Sequence, residues 1–148
     1  METIFLKLSG STQGDIQGSC KEQAHQNNIE VMSFSHSVSS PYDPTKSVSF
    51  AGTRNHGSLS IYKAIDKSSP LLMQALVTGE VMKKFNLELW WNNEKGEDQC
   101  YYTIDLGDAR VVQIGVNNHE ESVSFVYKKI TWTWKPDSKS TEDTVTNL

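Results

Sequence analysis

Period-two alternation dominates the chain. Ile4, Leu6 and Leu8 alternate with Thr3, Phe5 and Lys7, which predicts a half-buried strand with one extra aromatic. Further on, Met32, Phe34, His36 and Val38 fall on one face and Ser33, Ser35 and Ser37 on the other, a serine row suited to solvent or a lumen. Val48 and Phe50 mark a short strand, and Leu59, Ile61 and Ile65 mark another whose apolar side Lys63 interrupts. Phe85, Leu87, Leu89 and Trp91 oppose Asn86, Glu88 and Trp90. A polar stretch over 92–98 turns the chain, and Cys100, Tyr102, Ile104 and Leu106 return, predicting a hairpin. Val112, Ile114 and Val116 continue the alternation before a turn over 117–120. The last run opens on odd positions (Val123, Phe125, Tyr127) and closes on even ones (Ile130, Trp132, Trp134). A one-residue slip reverses every side chain, so the change at Lys128 and Lys129 predicts a bulge or sharp bend where one run serves two sheets.

Breakers divide these runs. Gly10, Gly14 and Gly18 amid Ser, Thr, Gln and Asp predict a turn-rich loop, and Pro41 and Pro44 predict an exposed loop over 39–46. One helix is predicted over about residues 70–78, with Ser69 as N-cap, Pro70 at its first position and Gly79 in the left-handed conformation after its last turn. Leu71, Leu72, Met73, Ala75, Leu76 and Val77 leave it few polar positions, so it should pack closely on a sheet. Beyond Pro136 there is little to bury, which predicts a disordered tail over 136–148 behind a single domain at 1–135. About eight or nine strands and one helix define a mainly β fold, a β-barrel or two-sheet sandwich with a flanking helix.

Composition narrows the function. A chain of 148 residues can hold one core without staples. Fourteen basic residues against 18 acidic leave a net charge of -4, which argues against nucleic acid and against anionic membrane surfaces. The first residues lack the basic and apolar regions of a signal peptide, and no apolar run approaches a membrane span. Cys20 and Cys100 stand far apart with no CxxC; two reduced thiols are the simpler reading, and a disulfide between them stays open.

The chain carries no nucleophile elbow, phosphate loop or dinucleotide fingerprint. His119 and Glu120 open like a zinc-protease motif, but Val123 stands where the second imidazole is required. His36 reads as a hydrogen-bonded core histidine, and Glu88, Asp105 and Asp108 read as solvated strand acids rather than a hydrolytic pair. No catalytic residue, cofactor or metal is assigned. Tyr62, Trp90 and Tyr101 face away from the strongest apolar stripe, which suits a protein interface, a sugar-stacking surface or burial under another layer.

Five stretches carry a family resemblance. They are Gly52-Thr53-Arg54-Asn55-His56, then Tyr62-Lys63-Ala64-Ile65-Asp66-Lys67-Ser68-Ser69-Pro70-Leu71-Leu72, then Val77-Thr78-Gly79-Glu80. Tyr101-Tyr102-Thr103-Ile104-Asp105-Leu106 and the closing run from Val123 to Trp134 follow. Their order and spacing resemble the Hcp family, the tube-forming proteins of bacterial type VI secretion systems. The likeness spans about residues 4–134, and the glycine loop over 14–19 fits it too. Against the family pattern the turn over 117–121 reads as shorter than in many relatives, and the tail over 136–148 does not read as the extension with which many of them end.

The resemblance implies a β-barrel subunit with no enzymatic activity, assembling into a homohexameric ring. Rings would stack as an inner tube within a contractile sheath, beneath a VgrG-type spike, with effector proteins in the lumen. It implies export from the bacterial cytoplasm without a signal peptide. It also implies that the loop over 40–47 reaches the adjacent ring through Tyr42, Asp43 and Lys46, and it makes Tyr62, Trp90 and Tyr101 candidates for the protomer interface. The alternative is a carbohydrate-binding β-sandwich with Trp90, Tyr101 and Tyr62 as stacking platforms; a hydrolase has no motif to support it.

Overall fold

The computed structural model describes residues 2–40 and 54–145. The strand expected at Val48 and Phe50 lies outside them. In chain order the elements are β1 (Thr3–Gly10), β2 (Gly14–Ile16), a single 3-10 turn (Gln23–His25), β3 (Ile29–Val31), β4 (Ser33–Ser35) and β5 (Val38–Ser39). Then come β6 (Asn55–His56), β7 (Leu59–Ala64), α1 (Ser69–Thr78), β8 (Val81–Asn92) and β9 (Asp98–Gly107). The chain closes with β10 (Ala109–Asn117), β11 (Glu120–Val126), β12 (Lys129–Trp134) and β13 (Lys139–Thr144).

Among the described residues, eleven strands form one sheet. Its main path is β13-β12-β9-β8-β10-β11-β7-β4, and β1 branches from β8 to carry β2 and β3. The sheet curls into a half-barrel because β8 is shared. Its residues 86–92 pair with β9, while Val81 and Met82 pair with β10. The chain crosses between those two partners at Asp108, whose φ of 51° makes the sharp turn. The mainly β fold with one flanking helix is thus as the alternation predicts.

The core fills the concave side. Ile29, Leu6, Leu87 and Ile104 form one row across β3, β1, β8 and β9, and Phe85 meets Phe125 edge-to-face at 4.9 Å. Phe5, on the opposite face of β1, is buried as well, because the 3-10 turn lays His25 flat on its ring at 3.9 Å.

Four expectations meet a different outcome or a sharper one. The parity change at Lys128 is a true break: β11 pairs with β10 and β7, while β12 pairs with β9 and β13. Val112 and Val116 do not continue the core stripe. A register shift between Val111 and Gln113 puts Ala109 and Val111 inside and leaves Val112 and Val116 47% and 59% exposed. The tail is not disordered throughout, since residues 139–144 form β13, paired with β12 over six positions. Backbone pairing to a free edge orders it, and that demands no apolar side chains. Finally, α1 buries only Leu72 and Ala75 completely, and Val77 stays 78% exposed. The helix lies along the flank on a narrow stripe rather than being engulfed. Gly79 closes it at φ 69°, as predicted.

The loop from Gln17 to Asn28 depends on one close approach. A Cβ on Gly18 would stand 2.6 Å from the Asn28 carbonyl oxygen and 2.6 Å from the Ile29 Cα. Both are backbone atoms and cannot swing aside. Gly18→Ala is therefore expected to push the loop off β3 at a cost of about 2 kcal/mol. Urea denaturation checks this as a lower midpoint with an unchanged slope.

Candidate functional site

Three polar clusters account for most of the resemblance motifs. The first is centred on Lys63. Strand parity sets it beside Leu59 and Ile61 on the core face, and its side chain is fully buried. It stands directly opposite Glu121 in the β7–β11 ladder. Its Nζ donates to Glu121 Oε1 at 2.6 Å, to Asp66 Oδ1 at 3.0 Å and to the Ala64 carbonyl at 2.9 Å. Ser69 Oγ donates to the same Glu121 oxygen at 2.7 Å and accepts the Asp66 N–H at 3.0 Å. So the Ser69 hydroxyl is spent on this cluster and does not cap α1, and Ser68 is the residue flanking the helix. Burial alone would raise the Asp66 carboxyl; hydrogen bonds from Ser68 and Lys63 outweigh it and hold the group below its usual range. The cluster seats α1 on the sheet.

The second cluster joins β6, β13 and the end of β11. Arg54 grips Asp143 bidentately, Nε at 2.7 Å and a terminal nitrogen at 2.8 Å. His56 Nε2 lies 2.8 Å from the same carboxylate, which accepts its proton. That leaves Nδ1 of a neutral His56 as an acceptor 3.0 Å from the Tyr127 hydroxyl. The hydroxyl also lies 3.2 Å from the Gly57 carbonyl and 2.5 Å from His36 Nε2. One tyrosine proton thus has two acceptors in reach, and His36 supplies the further donor. Burial, and then the Asp143 charge, push the Tyr127 hydroxyl up to about 12, so it remains a hydrogen-bonding alcohol. Burial and the neighbouring His56 push His36 down. His36 is therefore hydrogen-bonded, as the sequence predicts, but it lies between β4 and β5 and is half-buried rather than in the core.

In the third cluster Glu80, just past α1, accepts the backbone N–H groups of Thr12 and Gln13 at 2.9 and 2.8 Å and the Gln13 amide at 3.1 Å. It ties the β1–β2 turn to the helix end. Burial opposes its charge, but these donors lower its pKa overall.

The aromatic candidates do not converge. Tyr62 is exposed on β7, beside a groove of about 340 Å³ lined by Gly115, Val116 and Glu120. Trp90 is half-buried and packs edge-on against His25 at 4.5 Å. Tyr101 stacks on Trp91 at 4.0 Å, and Trp134 stands edge-on to both. Sequence parity missed that trio by placing Trp91 and Trp134 with the core. A register shift between Leu89 and Trp90 gives β9 one extra residue there, Tyr101. Tyr42, Asp43 and Lys46 lie outside the described residues.

The other candidates have separate partners. Glu88 lies 3.5 Å from Lys7, and Asp105 accepts from Asn86 at 2.7 Å. Among the described residues no group of three His, Cys, Asp or Glu side chains is arranged for a metal. Cys20 and Cys100 are free thiols, both pushed up by burial.

The clusters thus bind strand to strand and helix to sheet, and fold and site together define a β-scaffold protein. The family described as "Type VI secretion system effector, Hcp" matches residues 5–134, and the chain belongs to that family. It is 32% identical to a "Major exported protein" of Pseudomonas aeruginosa, over 94% of this chain and 92% of that one. It also resembles a solved Hcp protein (28% identity, TM-score 0.88, 97% of this chain and 99% of that one). A structure of Hcp1 from the E. coli EAEC 042 pathovar gives 30% identity and a TM-score of 0.86, covering 96% of this chain and 97% of that one.

Proposed function

We propose that this protein is the ring-forming subunit of a type VI secretion inner tube. Six copies close into a ring, and rings stack within a contractile sheath beneath a VgrG-type spike. The tube leaves the bacterial cytoplasm without a signal peptide and carries effector proteins in its lumen. The observation that carries this reading is the family match over residues 5–134, on a fold whose polar clusters are spent on internal contacts. The name of the P. aeruginosa relative supports export. The sheet path ends on two strands, β13 and β4. Neighbours in an assembly are one means of covering such edges.

Tyr62, Trp90 and Tyr101 are the protomer-interface residues of this reading, each on its own part of the sheet: Tyr62 is exposed, Trp90 packs on His25 and Tyr101 stacks on Trp91. Tyr42, Asp43 and Lys46 are its ring-stacking contacts. Light scattering over a dilution series, with negative-stain images of the same peak, is expected to give a six-subunit species with ring views. A strict monomer at every concentration counts against the ring. Asp43→Lys with Lys46→Glu is expected to leave the barrel folded and to reduce stacking and secretion. Normal secretion by that variant removes the loop from the stacking contact.

A further inference from the structure

Two surface patches lie outside the three clusters, and their chemistries are opposite. The first is a groove of about 530 Å³ at one end of the core. Its floor is the row Val31, Ile4 and Leu89, paired across β3, β1 and β8. Tyr101 and the 52% exposed Met32 also line it. Its acidic lining is Glu2, Glu22 and Glu30. Among the described residues none of these carboxylates has a basic group within ion-pair distance. An apolar floor beside uncompensated carboxylates suits an apolar, cationic occupant.

The second patch lies where β10 meets β11 and β8. Val126 stands opposite Arg110, and the register shift turns Val112 outward two residues along from Arg110. Arg110 in turn faces Val81, with Lys83 two residues further along β8, while Lys128 stands at the break just beyond Val126, the last residue of β11. The three basic side chains are exposed, and among the described residues none pairs with a carboxylate. Val126 is 41% exposed.

The geometry points to a head-to-tail contact in which the valine–basic patch of one copy seats in the acidic groove of the next. This rests on the ring reading above and adds to it the two faces that meet. A closed ring of this kind needs two different, complementary faces on every subunit. Groove against groove would oppose carboxylates, and patch against patch would oppose cations. Only groove against patch matches in charge and in apolar surface, which is the match that a head-to-tail series repeats at every contact.

Charge reversal tests the pairing. The groove variant is Glu2→Lys with Glu22→Lys; the patch variant is Lys83→Glu with Lys128→Glu. All four positions are exposed, so each monomer should fold, which its thermal midpoint verifies. Each variant alone is expected to weaken ring assembly at least about tenfold in light scattering. The fourfold variant keeps the net charge of -4 and is expected to reassemble. A six-subunit species that survives both double variants overturns the pairing, leaves the ring reading standing and gives the groove to another occupant. A folded fourfold variant that stays dissociated also overturns it. A wild-type protein that never forms the ring removes the ring reading itself.

Discussion

Lys63→Met is expected to destabilise the fold by about 3–5 kcal/mol, the scale for removing one partner of a buried ion pair. The substitution keeps the volume of the stem but strands Glu121, which is 5% exposed, and removes a donor from Asp66. Ser69 Oγ continues to donate to Glu121, but a hydroxyl does not neutralise a carboxylate. With a urea slope of about 2 kcal/mol/M, the midpoint falls by roughly 2 M. The double variant Lys63→Met with Glu121→Met is expected to regain more than half of the loss, because an apolar pair of similar volume carries no desolvation cost. A single variant within about 1 kcal/mol of wild type would mean that Lys63 does not hold α1 to the sheet. Equal losses in the single and double variants would mean that packing, not charge, decides the site.

Asp143→Asn is expected to free β13 while leaving the core intact. The strand has little apolar surface, so backbone pairing to β12 and the grip of Arg54 and His56 must hold it. Loss of charge-assisted hydrogen bonds of this kind costs about 2 kcal/mol. Amide exchange should accelerate over residues 139–144 and stay slow in β8. The pH dependence follows from the same contacts. Arg54 first, and then His56, hold the Asp143 carboxyl down at about 2, against 3.8 for the free group. A carboxyl depressed on folding stabilises fully above its unfolded value, and that gain disappears as the pH falls from about 4 toward 2. The gain is at most about 2 kcal/mol, reduced by solvent because Arg54 is 39% exposed. His36 adds an earlier acid step. Burial lowers its pKa on folding, so stability declines as the pH falls below its unfolded value of 6.5. In Asp143→Asn the step below pH 4 should shrink in thermal midpoints measured between pH 2 and 7, leaving the share of Asp66 and Glu80, whose carboxyls are also held down on folding. The His36 step should remain.

Both predictions concern residues that the sequence displays without their meaning. Lys63 interrupts an apolar strand face, and of its two carboxylate partners only Asp66 stands near it in the chain. Glu121, 58 positions away, becomes its partner only when β11 pairs with β7 in the observed register. Arg54 and Asp143 lie 89 positions apart, and Asp143 falls in a segment whose composition suits disorder. The aromatic trio of Trp91, Tyr101 and Trp134 exists because one bulge adds a residue to β9. A bulge has no sequence mark here, whereas the slip between Tyr127 and Ile130 betrays itself because apolar residues stand on both sides of it.

The sequence by itself determined what acts over short range. Alternation specified the main strands, since burying one face of a pleat requires apolar residues at every second position. Pro70 and Gly79 marked the ends of α1, and the polar run over 92–98 marked the hairpin between β8 and β9. The motif order points to the family independently of the fold. The tertiary structure alone decided which polar groups meet, which valines turn outward at a shifted register and which bare edge orders β13. Those outcomes depend on pairing energies between distant segments, and one residue of register reverses which face is buried.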